Sequence, residues 1–441
     1  MDQSVGSQVE LIREAFHYQA RFDGTTMVFK VDFPVTEEPG FPFLVKDLAL
    51  LAGTGIRVLI VPGAKEWIDS VLGEYGIVSR YAGAVRVTTG AALPFVEMAA
   101  FHVATRFITG LAASRVDAVT GNFVRAQGLG VVDGEDMAHT GVVKKILVEP
   151  LRRVMESGMV PILPCIGWSS SGRPYNVPSD EIALAASAAL GAVKLFIITA
   201  GNKLSAENYD IPESVQRDDT GRIVRLSIQE AGSILERNWK APGGDKGLEA
   251  IGLALKAART GVERVHLVNA REEGAVLREL FSNLGAGTMV YGDEYESVRP
   301  LTIDDVSDVL RLMEPLMKQG VLVRRGPEDI IEKKDDYAVF EIDGSIHAAG
   351  ALHNWGEAQG EIAALATNPA YADMGLGRNL VRYFVDRAKK AGFRRVFVLT
   401  TVTHDWFELL GFRELPVESL PEKKRRLYDS GRKSKVFGLD L

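Results

Sequence analysis

Two glycines that precede an apolar, basic segment are the feature of this sequence that points most directly to chemistry. The stretch NPAYADMGLGRNL, residues 368–380, places Gly375 and Gly377 just before a helix predicted over 378–390. The first N–H groups of a helix lack partners within it, and together with the helix dipole they favour an anion such as a pyrophosphate. Glycine lets the backbone approach that anion closely. An ordinary strand-to-helix loop would also explain the two glycines, so the choice between a loop and an anion-binding turn depends on the surrounding elements.

Strands and helices alternate along the first two thirds of the chain. A buried strand at 56–63, IRVLIVPG, lies between helices predicted over 41–55 and 64–76. Continuous apolar strands between helices predict an α/β fold, a mostly parallel sheet with helices on both faces. After the polar stretch GDEYESV, 292–298, the pattern becomes that of a compact α+β domain. We therefore predict an N-terminal assembly helix over 1–24, an α/β domain over 25–295 and an α+β domain over 296–441.

The composition excludes several classes of partner. The 441 residues carry a net charge of −7, with cations spread along the chain, which argues against a nucleic-acid binder. Apolar runs are shorter than the roughly 18 residues of a membrane span, and the N-terminus does not resemble a signal peptide. The single cysteine, Cys165, lies in an apolar strand and is expected to be a buried thiol in a reducing compartment. We expect a cytoplasmic protein and, because the histidines show no ligand spacing, no metal.

The glycine turn resembles a loop of the GNAT acetyltransferases. That loop, Arg/Gln-x-x-Gly-x-Gly/Ala, holds the pyrophosphate of acetyl-CoA, and here it follows the strand GEIAALATN and reads ADMGLG, residues 372–377. Ala372 replaces the polar first residue, so one side-chain contact is missing while the backbone contacts remain. The resemblance implies acetyl-CoA as co-substrate, held by Leu365, Ala366, Asp373, Met374, Gly375, Leu376, Gly377 and Arg378.

The whole chain resembles the bacterial N-acetylglutamate synthase family, which fuses an amino-acid-kinase-like domain to a GNAT domain. The matching C-terminal segments are QGVLVRR (319–325), GEIAALATNP (360–369), FVLTTVTHDWFELLGF (397–412) and LPEKKRRLYDSGRKSKV (420–436). The resemblance implies direct transfer of acetyl from acetyl-CoA to the α-amine of L-glutamate, which is the first step of arginine biosynthesis.

Catalytic residues follow from this resemblance. Glu361 begins the strand before the glycine turn and matches the family's candidate general base, although an ordinary strand-end carboxylate is the alternative. Ser434 matches the family's serine and would protonate the departing thiolate, with Tyr428 as the second candidate.

The two carboxylates of glutamate require at least two cations. Arg325 and Arg432 lie in segments that match the family's substrate-contacting motifs, and Lys435 is nearby. A guanidinium suits this role because it binds a carboxylate through two parallel hydrogen bonds. Three further cations are expected to be solvated surface charge: Lys423, Lys424 and Arg426.

Residues 25–295 resemble acetylglutamate kinase and the wider amino acid kinase fold. Those kinases place a lysine and two glycines after the first strand to hold ATP phosphates. Here the stretch is KVDFP, residues 30–34, in which the lysine remains and the glycines are absent. Proline also removes an amide donor, so we expect no kinase activity.

In related proteins this domain binds arginine as a feedback inhibitor beside the N-terminal helix. The corresponding residues here are Tyr18, Glu279, Gly285, Gly287 and Thr288. A solvated helix carboxylate is the alternative for Glu279. The same relatives use the N-terminal helix to join dimers into rings, which implies a homo-oligomer, a dimer or a hexamer.

Two other functions compete with the synthase. One is an active acetylglutamate kinase with a regulatory GNAT-like tail, against which residues 30–34 argue. The other is a non-enzymatic sensor that binds arginine and acetyl-CoA, which the replacement at Ala372 keeps open.

Overall fold

The chain divides into two compact units, Met1–Asp293 and Glu294–Leu441, in a computed structural model. The structure describes residues 22–201, 204–205, 207–212, 215, 217–218, 220–238, 245–281, 285–292, 296–342, 345–369 and 375–441. Several sequence-based predictions lie outside these residues: most of the assembly helix, Tyr18, Ala372, Asp373 and Met374. None of the helices within the described ranges is long and apolar enough to cross a membrane.

The first unit is built on a mostly parallel sheet. Its strands are β1 (Thr26–Val31), β2 (Arg57–Pro62), β3 (Arg80–Ala82), β4 (Val85–Val87), β5 (Ala118–Thr120), β6 (Val124–Gly128), β7 (Val131–Val132), β8 (Glu135–Asp136), β9 (Gly141–Ile146), β10 (Val160–Ile162), β11 (Ile166–Trp168), β12 (Pro174–Asn176), β13 (Lys194–Thr199), β14 (Arg225–Ser227), β15 (Arg264–Asn269) and β16 (Thr288–Tyr291). In the described chain the main sheet has the order β14-β16-β15-β13-β1-β2-β10-β5, in which β15 and β16 pair antiparallel. A smaller sheet has the order β12-β11-β6-β9.

Helices cover both faces of the main sheet. They are α1 (Phe41–Gly53), α2 (Lys65–Glu74), α3 (Leu93–Ala113), α4 (Val148–Glu156), α5 (Ser179–Leu190), α6 (Ile228–Asn238), α7 (Lys246–Arg259) and α8 (Ala275–Phe281). The central strand β1 is buried along its whole length. Met27 and Phe29 belong to one apolar core and Val28 to the other, because successive side chains of a strand point to opposite faces. The predicted α/β layering is therefore confirmed.

The second unit is α+β. Its strands are β17 (Glu296–Pro300), β18 (Tyr337–Ile342), β19 (Ser345–Asn354), β20 (Gln359–Thr367), β21 (Arg395–Thr400), β22 (Arg413–Leu415) and β23 (Lys435–Asp440). Its helices are α9 (Val306–Lys318), α10 (Pro327–Glu332), α11 (Leu376–Lys390), α12 (His404–Leu409) and α13 (Glu422–Arg426). Short 3-10 helices of the two units span Phe33–Glu37, Ile303–Asp305, Lys334–Asp336, Val417–Ser419 and Ser430–Arg432.

The sheet of the second unit separates in its middle. Its order is β17-β18-β19-β20-β21-β23-β22, and β20 and β21 run parallel. Their register runs from Gln359↔Arg395 to Glu361↔Phe397. Beyond it β20 pairs with β19 as far as Thr367, while β21 pairs with β23 as far as Thr400. The two parallel strands therefore separate just after Glu361.

A bulge bends β20 beyond this point. Ala363 pairs with Ala351 and Ala366 pairs with Ala349, so two residues of β20 lie opposite Gly350 alone. One of them, Ala364, has a φ of +57°. A bulge increases local twist and bends a strand, which carries β20 further from β21.

Candidate active site

The glycine turn lies where β20 meets α11. Gly375 is the N-cap of this 15-residue helix and has a φ of +70°, a left-handed conformation that glycine adopts without strain. A Cβ on Gly377 would lie 3.3 Å from the ring of Trp406 and 3.5 Å from Thr367, the last residue of β20. Thus the first turn of α11 presents its N–H groups beside the end of the bent strand, as an anion site requires.

Glu361 is a buried carboxylate at the point of separation. The residue is 5% exposed, on a strand whose cross-strand partner is His353. Its Oε2 accepts a hydrogen bond from the indole Nε1 of Trp355 at 2.7 Å. The ammonium of Lys424 lies 2.7 Å from Oε1 and also 2.7 Å from Oε2. The carboxylate is therefore held on both oxygens, as a buried charge requires.

The expectation that Lys424 is a solvated surface charge was wrong. Its side chain is 16% exposed, and its ammonium lies over the Trp355 ring, 4.8 Å from the centroid, as well as on Glu361. Its neighbour Lys423 is exposed, as expected. The charge run alone did not distinguish the two, because only the fold brings α13 back to β20. Trp355 was also missed, although it precedes Glu361 by six residues across the β19–β20 connection.

Tyr428 and Ser434 are joined by a hydrogen bond. The hydroxyl of Tyr428 donates to the backbone carbonyl of Ser434 at 2.6 Å. Tyr428 and Trp355 both pack against an apolar cluster that includes Phe397, the register partner of Glu361. The structure thus brings the two candidate acids to the same part of the unit as the candidate base. The hydroxyl proton of Tyr428 is already donated to a backbone oxygen.

The two arginines lie on connected segments. One guanidinium nitrogen of Arg432 donates to the carbonyls of Gly320 and Val321 at 3.0 and 3.1 Å, which ties the C-terminal segment to the one that carries Arg325. Arg325 donates to the hydroxyl of Tyr337 at 3.0 Å. Burial raises the pKa of that hydroxyl, so it is neutral and accepts this bond.

Tyr337 connects Arg325 to the neighbourhood of the carboxylate. Its ring packs edge-on against His353, with centroids 6.1 Å apart, and His353 is the cross-strand partner of Glu361. The Nδ1 of His353 lies 2.7 Å from Asp336.

The third candidate cation, Lys435, lies at the surface. Its ammonium is 3.0 Å from Glu414, and both side chains are about half exposed. Lys435 therefore already has an anionic partner at the surface.

In the first unit, residues 30–34, which were expected not to bind ATP phosphates, include a buried lysine that is paired with two carboxylates. The buried Lys30 forms ion pairs with Asp32 and with Asp180, the latter at 2.8 Å. Phe33 and Pro34 follow in a 3-10 helix. Because two carboxylates surround the lysine, a phosphate there would meet negative charge, which is unfavourable for phosphate binding.

Glu279 lies in a buried polar cluster with two of its expected neighbours. It is 8% exposed; its Oε2 accepts the N–H groups of Ala286 and Gly287, both at 2.7 Å. A Cβ on Gly285, whose φ is +61°, would lie 2.5 Å from the same oxygen. The alternative of a solvated helix carboxylate was wrong for Glu279. The hydroxyl of Thr288 donates instead to the carbonyl of Ile223.

Two further residues of this cluster were missed by sequence reasoning. The Nδ1 of His266 lies 2.7 Å from Glu279 Oε1, and its Nε2 lies 3.1 Å from the ammonium of Lys194. Burial and the positive charge of Lys194 lower the pKa of His266 to about 4. The pKa of Glu279 is also lowered: burial opposes this, but His266 and the two N–H groups outweigh it. The pair is therefore a neutral imidazole beside an ionised carboxylate.

Comparisons with known proteins agree with this division of the chain. Residues 35–269 match the Amino acid kinase family, and residues 308–412 match the Acetyltransferase (GNAT) family. Fold and site together define a GNAT acetyltransferase joined to an amino acid kinase domain.

Whole-length relatives identify the family. The chain is 33% identical to an amino-acid acetyltransferase of Shigella flexneri, over 98% of each chain. It matches the crystal structure of N-acetylglutamate synthase from Neisseria gonorrhoeae complexed with coenzyme A and L-arginine at 30% identity, with a TM-score of 0.86 over 98% of this chain and 99% of that one. The same synthase complexed with coenzyme A and N-acetyl-glutamate matches at 32% identity, with a TM-score of 0.61 and the same coverage. This chain belongs to the N-acetylglutamate synthase family of amino-acid acetyltransferases.

The family assignment decides between the functions left open by the sequence. The chain is an acetyltransferase that uses acetyl-CoA, as its resemblance to the GNAT loop implied. The matches favour this function over a kinase with a GNAT-like tail and over a non-enzymatic sensor. Among the described residues, no group of three or more His, Cys, Asp or Glu side chains is placed to hold a metal ion.

Proposed function

We propose that residues 296–441 transfer the acetyl group of acetyl-CoA to the α-amine of L-glutamate. The observation that carries this proposal is the buried carboxylate of Glu361, which lies where β20 and β21 separate and on the strand that leads to the glycine turn. The gonococcal relative bound to coenzyme A and N-acetyl-glutamate supports the same acceptor.

The coenzyme is held at the mouth of α11. The N–H groups of Gly375, Leu376, Gly377 and Arg378 would bind the pyrophosphate. We propose Asp373 and Met374, which lie outside the described residues, as further contacts of the coenzyme. The pantetheine arm then extends into the gap between β20 and β21. Backbone N–H groups at Leu365 and Ala366, in the bent part of β20, would stabilise the oxyanion that forms on the thioester carbon.

Glu361 is the proposed base. It takes one proton from the α-ammonium of glutamate, and the free amine attacks the thioester carbonyl directly. The tetrahedral intermediate then expels the thiolate of coenzyme A. In this collapse the thiolate takes the hydroxyl proton of Ser434, and the second proton of the nitrogen passes, directly or through water, to Ser434 and restores its hydroxyl. Glu361 then releases its proton to solvent, so charge and protons balance. Tyr428 acts by holding the Ser434 backbone, since its own proton is bound to that carbonyl.

Arg325 and Arg432 are the proposed cations for the two carboxylates of glutamate. Arg432 binds the carbonyls of Gly320 and Val321, so the segment that carries Arg432 is tied to the one that carries Arg325. We assign Lys435 a structural role, because its ammonium is already paired with Glu414.

Residues 25–295 are proposed to be a regulatory domain that binds L-arginine and inhibits acetyl transfer. The gonococcal structure with arginine supports this effector. The arginine guanidinium would bind Glu279, beside Gly285, Gly287 and Thr288, and Tyr18 would contribute from residues 1–24. We further propose that residues 1–24 join subunits into a homo-oligomer, a dimer or a hexamer, and that the enzyme is cytoplasmic.

One assay tests the proposed reaction and its regulation. Thiol release from acetyl-CoA is measured over a panel of amino acids, with and without arginine. We expect release above the blank with glutamate, and less release when arginine is added. Release with no member of the panel would overturn the reaction, and release that arginine leaves unchanged would overturn the regulatory role alone.

A further inference from the structure

The contact between Lys424 and Glu361 has a consequence for the order of events at the site. A general base needs an oxygen lone pair that can receive a proton. Here the ammonium of Lys424 lies 2.7 Å from each oxygen of Glu361, and Trp355 donates to one of them. The ammonium therefore occupies the side of both oxygens at which a substrate proton would have to arrive.

Lys424 is placed so that it can leave this contact. It lies in the middle of α13, a helix of five residues, and its side chain is 16% exposed. A lysine head group on a four-carbon stem can turn to a new anion without movement of the backbone. Trp355 remains to hold Oε2 of Glu361 when the ammonium turns away.

We propose that Lys424 keeps the general base Glu361 paired until the acceptor binds, and that a carboxylate of the acceptor then draws the ammonium away. We call this arrangement a latch. This inference rests on the proposed role of Glu361. Lys424 is a positioning residue in this scheme: it makes the base available only when an acidic acceptor is bound. Acetyl-CoA alone would then meet a base that is still paired, which limits loss of the thioester to water.

Other charged or titratable groups near Glu361 do not explain the contact. His353, its cross-strand partner, is bound to Asp336, and Tyr428 is bound to the Ser434 carbonyl. These groups are the same in every variant of the test below, so differences between variants report Lys424.

Thiol release without an acceptor separates a latch from a fixed partner. A latch predicts that Lys424→Met, in which Glu361 is unpaired before any acceptor binds, releases thiol from acetyl-CoA to water several-fold faster than the wild type. Lys424→Arg keeps a cation on Glu361, so its release without glutamate should stay close to that of the wild type. A loss of structure alone would not raise this release.

The matched control is Lys423→Met, the exposed neighbour on the same helix, which should leave release without an acceptor unchanged. No rise of this release in Lys424→Met, or an equal rise in Lys424→Arg, would overturn the latch. If Lys424→Met does not fold, Lys424→Gln replaces it. Absence of any thiol release from the wild type with glutamate would instead mean that the proposed reaction is wrong.

Discussion

Replacing Glu361 by glutamine separates the role of this carboxylate in catalysis from its role in stability. The glutamine has the same shape but one acceptor oxygen, and its NH2 group would point a donor at the ammonium of Lys424. Lys424 thus loses its ionic partner while Trp355 can keep its hydrogen bond. The lysine is still 16% exposed and can reach water. We therefore expect the cost to be about 1–3 kcal/mol, the range for an unsatisfied group, rather than that of a fully buried charge.

Turnover of Glu361→Gln should fall by about 10² or more, the usual contribution of a general base. The affinity for coenzyme A should be unchanged, because the N–H groups at Gly375 and Gly377 are untouched. Thiol release, calorimetry with coenzyme A and urea unfolding measure the three quantities.

The double variant Glu361→Gln/Lys424→Met provides the control. It removes both charges, so the free energy of unfolding should recover part of the loss while turnover stays low. A double variant with restored turnover would mean that the single variant failed through its structure and not through loss of a base. Wild-type turnover in Glu361→Gln would mean that another group takes the proton.

Three further substitutions test other parts of the molecule. Arg325→Ala should raise the KM for glutamate steeply, whereas Arg324→Ala, at the exposed neighbour, should not; equal KM values would remove Arg325 from the pocket. Gly375→Val should cost about 1–2 kcal/mol of stability because of its φ of +70° and weaken coenzyme binding, while Gly375→Asn should cost less; equal Kd values for coenzyme A in calorimetry would refute this. Burial holds the pKa of His266 at about 4, below the unfolded value of about 6.5, so the unfolded chain binds the proton first and stability should fall as the pH drops through this window. The loss approaches about 3 kcal/mol, and urea unfolding of His266→Gln should show a flatter pH dependence; an unchanged slope would refute the assignment.

Local patterns in the sequence were sufficient for the elements of the fold. The helix predicted over 378–390 is α11, whose buried residues include Leu380, Phe384 and Ala388. This worked because apolar spacing along a helix is a local signal. The alternating pattern of the first unit likewise predicted the covered, mostly parallel sheet.

Pairings between distant segments were not predictable in the same way. Lys424 and Glu361 are 63 residues apart, and Arg432 lies more than 100 residues from the carbonyls that it binds. Adjacent lysines at 423 and 424 differ in exposure only because of how α13 folds back. Sequence supplies the types of residue that can bind an anion, whereas the choice among several cations depends on which segments become neighbours.

Glu361 and Glu279, the buried carboxylates of the two proposed sites, differ in how each would select a ligand. Glu361 is paired with Lys424, and Glu279 with His266 and two N–H groups. A buried charge without partners is costly, so the protein supplies its own. At Glu361, a ligand that brings only a cation would displace the ammonium of Lys424 and leave it without an anion. A zwitterionic amino acid brings a cation for Glu361 and a carboxylate of its own for Lys424. This exchange is balanced in charge, which favours amino acids over simple amines as acceptors. At Glu279 the internal partners are a neutral imidazole and two N–H groups, so no such exchange of charge is required there.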